Sequence, residues 1–489
     1  MRFGTPAARW VIFATVLGSG IAAIDATVVG IAIPTIGRDL HASLGALQWV
    51  VTGYTLTLAA FLLLGGSLGD RFGRRKVYEI GVVWFVLASM ACAFAPNVDV
   101  LIVMRVVQGV GAAMLTPGSL AILESSFDPR DRGRAIGAWS GLGGVATAAG
   151  PLLGGYLIAA ASWRWIFLIN APLGVIVLFV SIRHVPESID ATAPPRIDVA
   201  GASLATLALA CITYALIDGP SGGWGKPPIV VMLVIGVVAA IAFVAAERRS
   251  THPMLPLVVF RIRQFSVTNV VTLIVYAALG GALFLLPVQL QVADHYSALG
   301  AGASLLPLTV IMLVLSAPSG RLAVRIGPRL QMCVGPVLVG VGLALLGRVA
   351  SDHSYVSGVL PAVVVFGLGL ATTVAPLTAT ALGALPDRQA GLASAVNNDV
   401  ARLGSLLAVA VLPAISGISG SAYLNPTKLS SGFRTATLVA GGLCMLGGVI
   451  AGLGIRNPAR IAGHETAEGA QCHHCALDAA PLASSSSAT

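Results

Sequence analysis

The sequence predicts an all-α polytopic membrane protein of fourteen transmembrane helices, built as two six-helix bundles with an inserted two-helix hairpin. Three observations predict it. The first is composition. Of 489 residues, 56% are hydrophobic and only 10% charged, and mean hydropathy is +0.89, whereas soluble domains carry about 25% charged residues. The second is a succession of apolar runs, each close to the roughly 20 residues that a bilayer core requires. The third is a loop that occurs twice. Gly66-Ser-Leu-Gly-Asp-Arg-Phe-Gly-Arg-Arg75 has a degraded copy in Gly320-Arg-Leu-Ala-Val-Arg-Ile-Gly-Pro-Arg329, with Gly66/Gly320, Leu68/Leu322, Arg71/Arg325, Gly73/Gly327 and Arg75/Arg329 at one offset. Such a repeat indicates two related halves, a plan suited to moving a solute between them.

The runs lie at about 10–33, 47–67, 77–95, 98–123, 135–158, 165–182, 199–217, 229–246, 266–290, 298–319, 330–347, 356–382, 396–418 and 433–455. The run after Arg9 contains Asp25 and is followed by no cleavage site, so it reads as the first spanning helix rather than a signal peptide. Placing the N-terminus inside puts Arg71, Arg74, Arg75 and Lys76, then Arg130, Arg132 and Arg134, then Arg248, Arg249, Arg261 and Arg263, then Arg321, Arg325 and Arg329 on the cytoplasmic side. Only Arg38, Arg164, Lys226, Arg348, Lys428 and Arg434 fall outside, and Arg105 and Arg402 fall within helices. The positive-inside rule therefore predicts cytoplasmic termini. The polar segment 183–198, with Pro194-Pro195, reads as a connector. The expected division is a first bundle at 1–182, a connector with helices 7 and 8 at 183–265, a second bundle at 266–456 and a disordered cytoplasmic tail at 457–489.

Several function classes are excluded. The net charge of +9 is scattered in short loop clusters with no basic, aromatic-interleaved stripe, so nucleic acid is not an expected partner. Nothing matches the phosphate-binding pattern G-x-x-x-x-G-K-[ST], and no nucleophile–base set suggests an enzyme. Cys92, Cys211, Cys333 and Cys444 lie in apolar runs and read as small hydrophobes. Cys472-His473-His474-Cys475 is a weak metal-binding pattern, with no second cysteine pair, in an Ala/Ser-rich tail. No metal or other cofactor is expected.

Ordered motifs along about 10–455 carry a family resemblance. The loop Gly66 to Lys76 is complete for the pattern G-x-L-a-D-R-x-G-R-[RK]. Helix 1 has Asp25-Ala-Thr-Val-Val-Gly-Ile-Ala-Ile-Pro34, with Gly30 at a usual Asn; helix 2 opens with Gln48-Trp-Val-Val-Thr-Gly-Tyr54. Helix 4 has Arg105-Val-Val-Gln-Gly-Val-Gly111, helix 5 has Gly150-Pro-Leu-Leu-Gly-Gly155, and Trp163-Arg-Trp-Ile-Phe-Leu-Ile-Asn-Ala-Pro172 follows. The chain resembles the major facilitator superfamily, and within it the fourteen-helix drug:proton antiporters.

That resemblance implies the major-facilitator fold and a set of residue roles. Asp70, with Arg71, Arg74, Arg75 and Glu124, would form a cytoplasmic gate in which Gly66, Gly69 and Gly73 admit close backbone approach. Asp70 would meet a cation or the N-terminal end of helix 11. Val324 replaces the acid in the second-half loop. Asp25 is the most costly residue in the chain, a carboxylate inside an apolar run. With Arg105 it is the expected site of proton coupling or substrate contact. A structural hydrogen bond to Thr27 or to a polar residue on a neighbouring helix is the alternative. Gly150, Pro151, Gly154 and Gly155 would provide a hinge or leak barrier in helix 5. Thr27, Tyr54, Trp139, Phe284 and Gln289 are expected cavity residues. Asn397, Asn398, Asp399 and Arg402 read as an interfacial cap and ion pair, and Asp218 as solvated.

The expected function is proton-driven export of amphipathic small molecules such as drugs or antibiotics across a bacterial cytoplasmic membrane. Its partners are the solute, protons and lipid, and a monomer suffices. Export of one dedicated metabolite is the alternative, ahead of proton-coupled uptake or a non-transporting sensor.

Overall fold

The computed structural model describes residues 1–190, 198–250, 253, 255–349, 354–386 and 389–457. The predicted Cys472-His473-His474-Cys475 motif and nearly all of the predicted tail lie outside them. Fourteen described helices are long and apolar enough to cross a membrane. They are α1 (Pro6–Asp39), α2 (Leu44–Phe72), α3 (Arg74–Ala93), α4 (Val98–Ser126), α5 (Arg132–Ala160), α6 (Trp165–His184), α7 (Val199–Gly222) and α8 (Pro227–Arg249). The series continues with α9 (Arg263–Ala293), α10 (Ala298–Ile326), α11 (Pro328–Leu346), α12 (Tyr355–Gly383), α13 (Gly391–Ile415) and α14 (Pro426–Gly454). The all-α, fourteen-helix expectation holds.

Local chemistry fixes the helix starts. Thr5, Ser43, Asn97, Asp198, Ser297 and Asn425 each accept a backbone N–H from the first turn of the helix that follows, satisfying donors that lipid cannot. Helix ends were less legible. Pro34 lies within α1, which runs on to Asp39, and α8 runs slightly past its apolar run at both ends. The repeated loop is reproduced as geometry. Gly73 separates α2 from α3 with φ +110°, and Gly327 separates α10 from α11 with φ +85°, a region in which L side chains are strained. The two glycines that coincide in sequence make the same kind of turn.

The loop Arg71–Lys76 and the N-terminus lie together at what we call the basic end. There the Met1 ammonium donates to the Ser126 carbonyl, and the Phe3 N–H donates to Asp131 Oδ2. The opposite, far end holds the α1–α2 turn. A hydrophobic core common to both halves of the chain runs toward the far end, joining Val28, Leu47 and Trp163 to Leu285, Val288 and Phe433. Toward the basic end the core divides. Val11, Tyr78 and Ile122 belong to one cluster, and Val259, Phe265 and Val396 to another. Polar contacts follow the same division. Gln48 Nε2 of α2 donates to the Val409 carbonyl of α13 at 2.6 Å, Gln291 Nε2 of α9 to the Ile31 carbonyl of α1 at 2.9 Å, and the Tyr423 hydroxyl to the Ala42 carbonyl at 2.8 Å. From mid-helix toward the basic end, Leu142 and Val145 of α5, and Leu313, Val314 and Val324 of α10, are exposed. The molecule is closed at the far end and parted between α5 and α10 at the basic end.

α7 packs on α2 and α13, and α8 packs on α7. The Asp218 carboxylate of α7 accepts the Trp49 indole N–H at 3.3 Å. Asp218 is thus bound to α2 rather than solvated, a contact between distant segments that local hydropathy does not encode.

Candidate functional site

Side chains from α4 and α6 converge on Asp25 of α1, which is 1% exposed. Arg105 Nη1 of α4 pairs with Asp25 Oδ2. Gln108 Nε2, one turn along α4, donates to Asp25 Oδ1 at 2.9 Å, and its own Oε1 accepts from Arg105 Nη1 at 2.7 Å. Asn170 Nδ2 of α6 reaches Asp25 Oδ1 at 3.3 Å and the Ser89 hydroxyl of α3 at 2.9 Å. Arg105 also donates through Nε to the Val50 carbonyl at 3.1 Å, and its guanidinium lies 4.2 Å from the Tyr54 ring centroid. Arg105, Gln108, Asn170 and Ser89 are all buried. Removing two charges from water costs several kcal/mol per ion unless geometry and further hydrogen bonds compensate; here three side chains share the carboxylate. The arrangement can hold a negative charge inside the apolar bundle.

The sequence expectation paired Asp25 with Arg105, and the structure brings them together. It does not join Asp25 to Thr27, but polar residues on neighbouring helices, Gln108 and Asn170, do bond the carboxylate. The Thr27 hydroxyl turns to the carbonyls of Ala23 and Ile24 in its own helix, and to Thr147 of α5. Gln108 and Asn170 were missed as ligands of the carboxylate. Both stood in motifs already singled out, and Gln108 lies three residues from Arg105, the spacing that shares a helix face.

The other expected cavity residues do not form one wall. Tyr54 lies under Arg105, with its hydroxyl on the Ala22 carbonyl at 3.3 Å. Trp139 Nε1 donates to the Ser19 hydroxyl of α1 at 3.2 Å. Phe284 is in the shared core. Gln289 binds the Ser430 hydroxyl of α14 at 3.0 Å.

At the basic end Asp70 forms an ion pair with Arg74 Nε at 2.9 Å, and the Arg71 guanidinium lies 5.3 Å from the Phe72 ring centroid. Among the described residues the Asp70 carboxylate's ion pair is therefore local, not with α11. Glu124 is exposed nearby. Gly66 faces Pro117 of α4, and Gly69 faces Arg74. Sequence reading missed Glu187, just past α6. Its carboxylate accepts the backbone N–H groups of Arg75 and Lys76 at 3.0 and 3.1 Å and lies 3.9 Å from Arg75 Nε. It thereby caps α3, which the glycine turn leaves without a capping side chain. The Ser188 carbonyl accepts the Arg74 N–H, and the Asp70 carbonyl accepts the Asp190 N–H, both at 3.0 Å. The connector after α6 is thus laced to the motif loop.

α5 runs unbroken through Gly150, Pro151, Gly154 and Gly155. A Cβ on Gly150 would stand 2.0 Å from Thr27 Oγ1, and one on Gly154 2.8 Å from Val28 of α1. One on Gly155 would stand 2.7 Å from the Ala298 carbonyl, and one on Gly302 would stand 2.3 Å from the Pro151 carbonyl. The motif therefore presses α5 on α1 with one face and on α10 with another, at the closed end.

The Major Facilitator Superfamily model matches residues 15–409. The chain is 36% identical over 416 residues to the multidrug resistance protein Stp of Mycobacterium tuberculosis, covering 85% of this chain and 77% of that protein. It is 35% identical over 402 residues to the tetracenomycin C resistance and export protein of Streptomyces glaucescens, covering 82% and 74%. It is 34% identical over 464 residues to the puromycin resistance protein pur8 of Streptomyces alboniger, covering 91% of each. Among solved structures, a bacterial homolog of the human lysosomal transporter Spinster superposes with TM-score 0.66 at 16% identity, over 93% of this chain and 100% of that one.

Proposed function

The chain belongs to the major facilitator superfamily, and from that premise we propose that it exports an amphipathic small molecule across a bacterial cytoplasmic membrane in exchange for protons. The observation that carries the reading is the buried Asp25–Arg105–Gln108–Asn170 network: a carboxylate of α1 held by side chains of α4 and α6 within one half, where a change of charge alters their packing. In this reading α1–α6 and α9–α14 rock about the far-end contacts, α7 and α8 form an inserted hairpin, and Asp70, Arg74, Arg75 and Glu187 order the cytoplasmic loop. The termini are cytoplasmic, so the present form opens inward. One chain is sufficient for the cycle.

Of the two substrate readings weighed from sequence, the relatives' names favour the second. Two of the three proteins described above are named for a single antibiotic, tetracenomycin C or puromycin, and one for multiple drugs. We therefore place a dedicated exporter of one antibiotic-like metabolite ahead of a broad drug pump. Efflux from proteoliposomes of tetracenomycin C, puromycin and ethidium, with a pH gradient imposed and then collapsed, tests this. Gradient-dependent movement of one compound supports the dedicated reading, and movement of all three supports the broad one. Movement indifferent to the gradient removes proton exchange. No movement by folded, oriented protein removes these solutes as cargo.

A further inference from the structure

A second carboxylate lies at the seam between the halves, and its surroundings differ from those of Asp25. Asp399 and Arg402 stand one turn apart on α13. The opposite face of α13 is committed to α9: Asn397 Nδ2 donates to the Thr272 hydroxyl at 2.8 Å, and the Ser405 hydroxyl donates to the Tyr276 carbonyl at 3.0 Å. The face that carries Asp399, Arg402 and Leu406 continues to Val409 and Ala410, whose carbonyls take Gln48 of α2. The pair therefore points toward α2, about two turns from that contact on the side of the basic end.

The sequence reading made Asn397, Asn398, Asp399 and Arg402 an interfacial cap and ion pair, and the structure does not pair the two charges. No ion pair joins them among the described residues, and Asp399 Oδ1 and Arg402 Nε are both buried without a hydrogen-bond partner. Arg402 lies within electrostatic reach of Tyr54 of α2 and Tyr276 of α9. Tyr54 in turn carries Arg105 against its ring. Of the helices packed on α13, α2 carries Asp70 and Arg71 and α9 carries Arg263 at the basic end, while the charges of α7 and α14 lie toward the far end at Asp218, Lys428 and Arg434, with Tyr355 of α12 there too; the Cys444 thiol of α14 turns to the Ile274 carbonyl of α9.

A proton arriving at Asp25 must displace Arg105, Gln108 or Asn170, each of which already donates to it. One arriving at Asp399 Oδ1 breaks no hydrogen bond. We propose that Asp399 is a second proton-binding site, the one that exchanges protons when the basic end is open, with Tyr54 between it and the Asp25 network. The proposal rests on the proton-exchange reading above. Binding is a simple protonation of the carboxylate, which removes its attraction for Arg402 and lets that side chain turn toward Tyr54 or the solute. Loss of the proton restores the attraction.

The test needs no transported compound. Purified full-length protein is titrated from alkaline to acidic pH while the infrared carbonyl band of protonated carboxyl groups is recorded. Wild type should show a titrating band that Asp399→Asn loses, that Asp399→Glu keeps at a shifted position, and that Asp25→Asn retains. Monodispersity of each variant on gel filtration, with the Asp399→Glu band, separates loss of the site from loss of the fold. The proposal is overturned if wild type has no such band, if Asp399→Asn leaves it intact, or if Asp25→Asn alone removes it. Failure of the exchange reading looks different: the band titrates at Asp399, but efflux ignores the pH gradient.

Discussion

At the scale of residues, Asp25 and Arg105 were conspicuous because a charge inside an apolar run has few inexpensive explanations. Gln108, Asn170 and Ser89 were not, because uncharged polar residues are common in helices and only the assembled bundle shows which of them face the carboxylate. The network makes a quantitative prediction. Truncating one member of a buried ion pair strands the other, at a cost of about 3 to 5 kcal/mol. Asp25→Ala and Arg105→Ala should each lower thermal stability in detergent by that order, and the double variant should lose well under the sum. Additive losses would mean that the two charges do not depend on each other. Asp25→Asn, which keeps an acceptor, should insert and fold yet abolish gradient-driven efflux. Preserved coupling in that variant would remove Asp25 from the proton path.

At the scale of elements, hydropathy made all fourteen helices legible, while their ends and partners depended on contacts between segments far apart in sequence. Glu187 illustrates the gap. Its own neighbourhood reads as polar connector, and only folding carries its carboxylate to the exposed N–H groups of α3. Helix caps of this kind contribute about 0.5 to 2 kcal/mol. Glu187→Ala should therefore speed hydrogen exchange at Arg75 and Lys76 and expose 185–190 to protease, with little change at Asp25. Unchanged exchange would deny the cap. The glycines of α5 give a steric counterpart. A side chain at Gly302 must push the Pro151 carbonyl away, so Gly302→Val should loosen the far-end closure while leaving the Asp25 network intact. Spin labels on α5 and α10 should report a longer far-end distance, and an unaltered distance would mean that the contact does not hold the halves together.

At the scale of the whole molecule, the repeat in the sequence foretold two related halves, and Gly73 and Gly327 repeat as turns. The conformation was not legible, because a chain that visits two states encodes both. What selects the present one is the set of far-end contacts: Gln48 on Val409 and Ala410, Gln291 on Ile31, Gly302 against Pro151. If alternating access is the cycle, these contacts must break once per turnover. In a background without native cysteines, Gln48→Cys with Ala410→Cys places two thiols across the α2–α13 seam. A disulfide between them should hold the basic end open. Transport should fall to background when the pair is oxidised and recover on reduction, while each single variant keeps working. Because Asp399 lies on the same seam nearer the open end, the oxidised protein should still take up its proton. Retained protonation with arrested transport would separate proton binding from the movement that uses it. Undiminished transport by cross-linked protein would mean that the halves need not part at this seam.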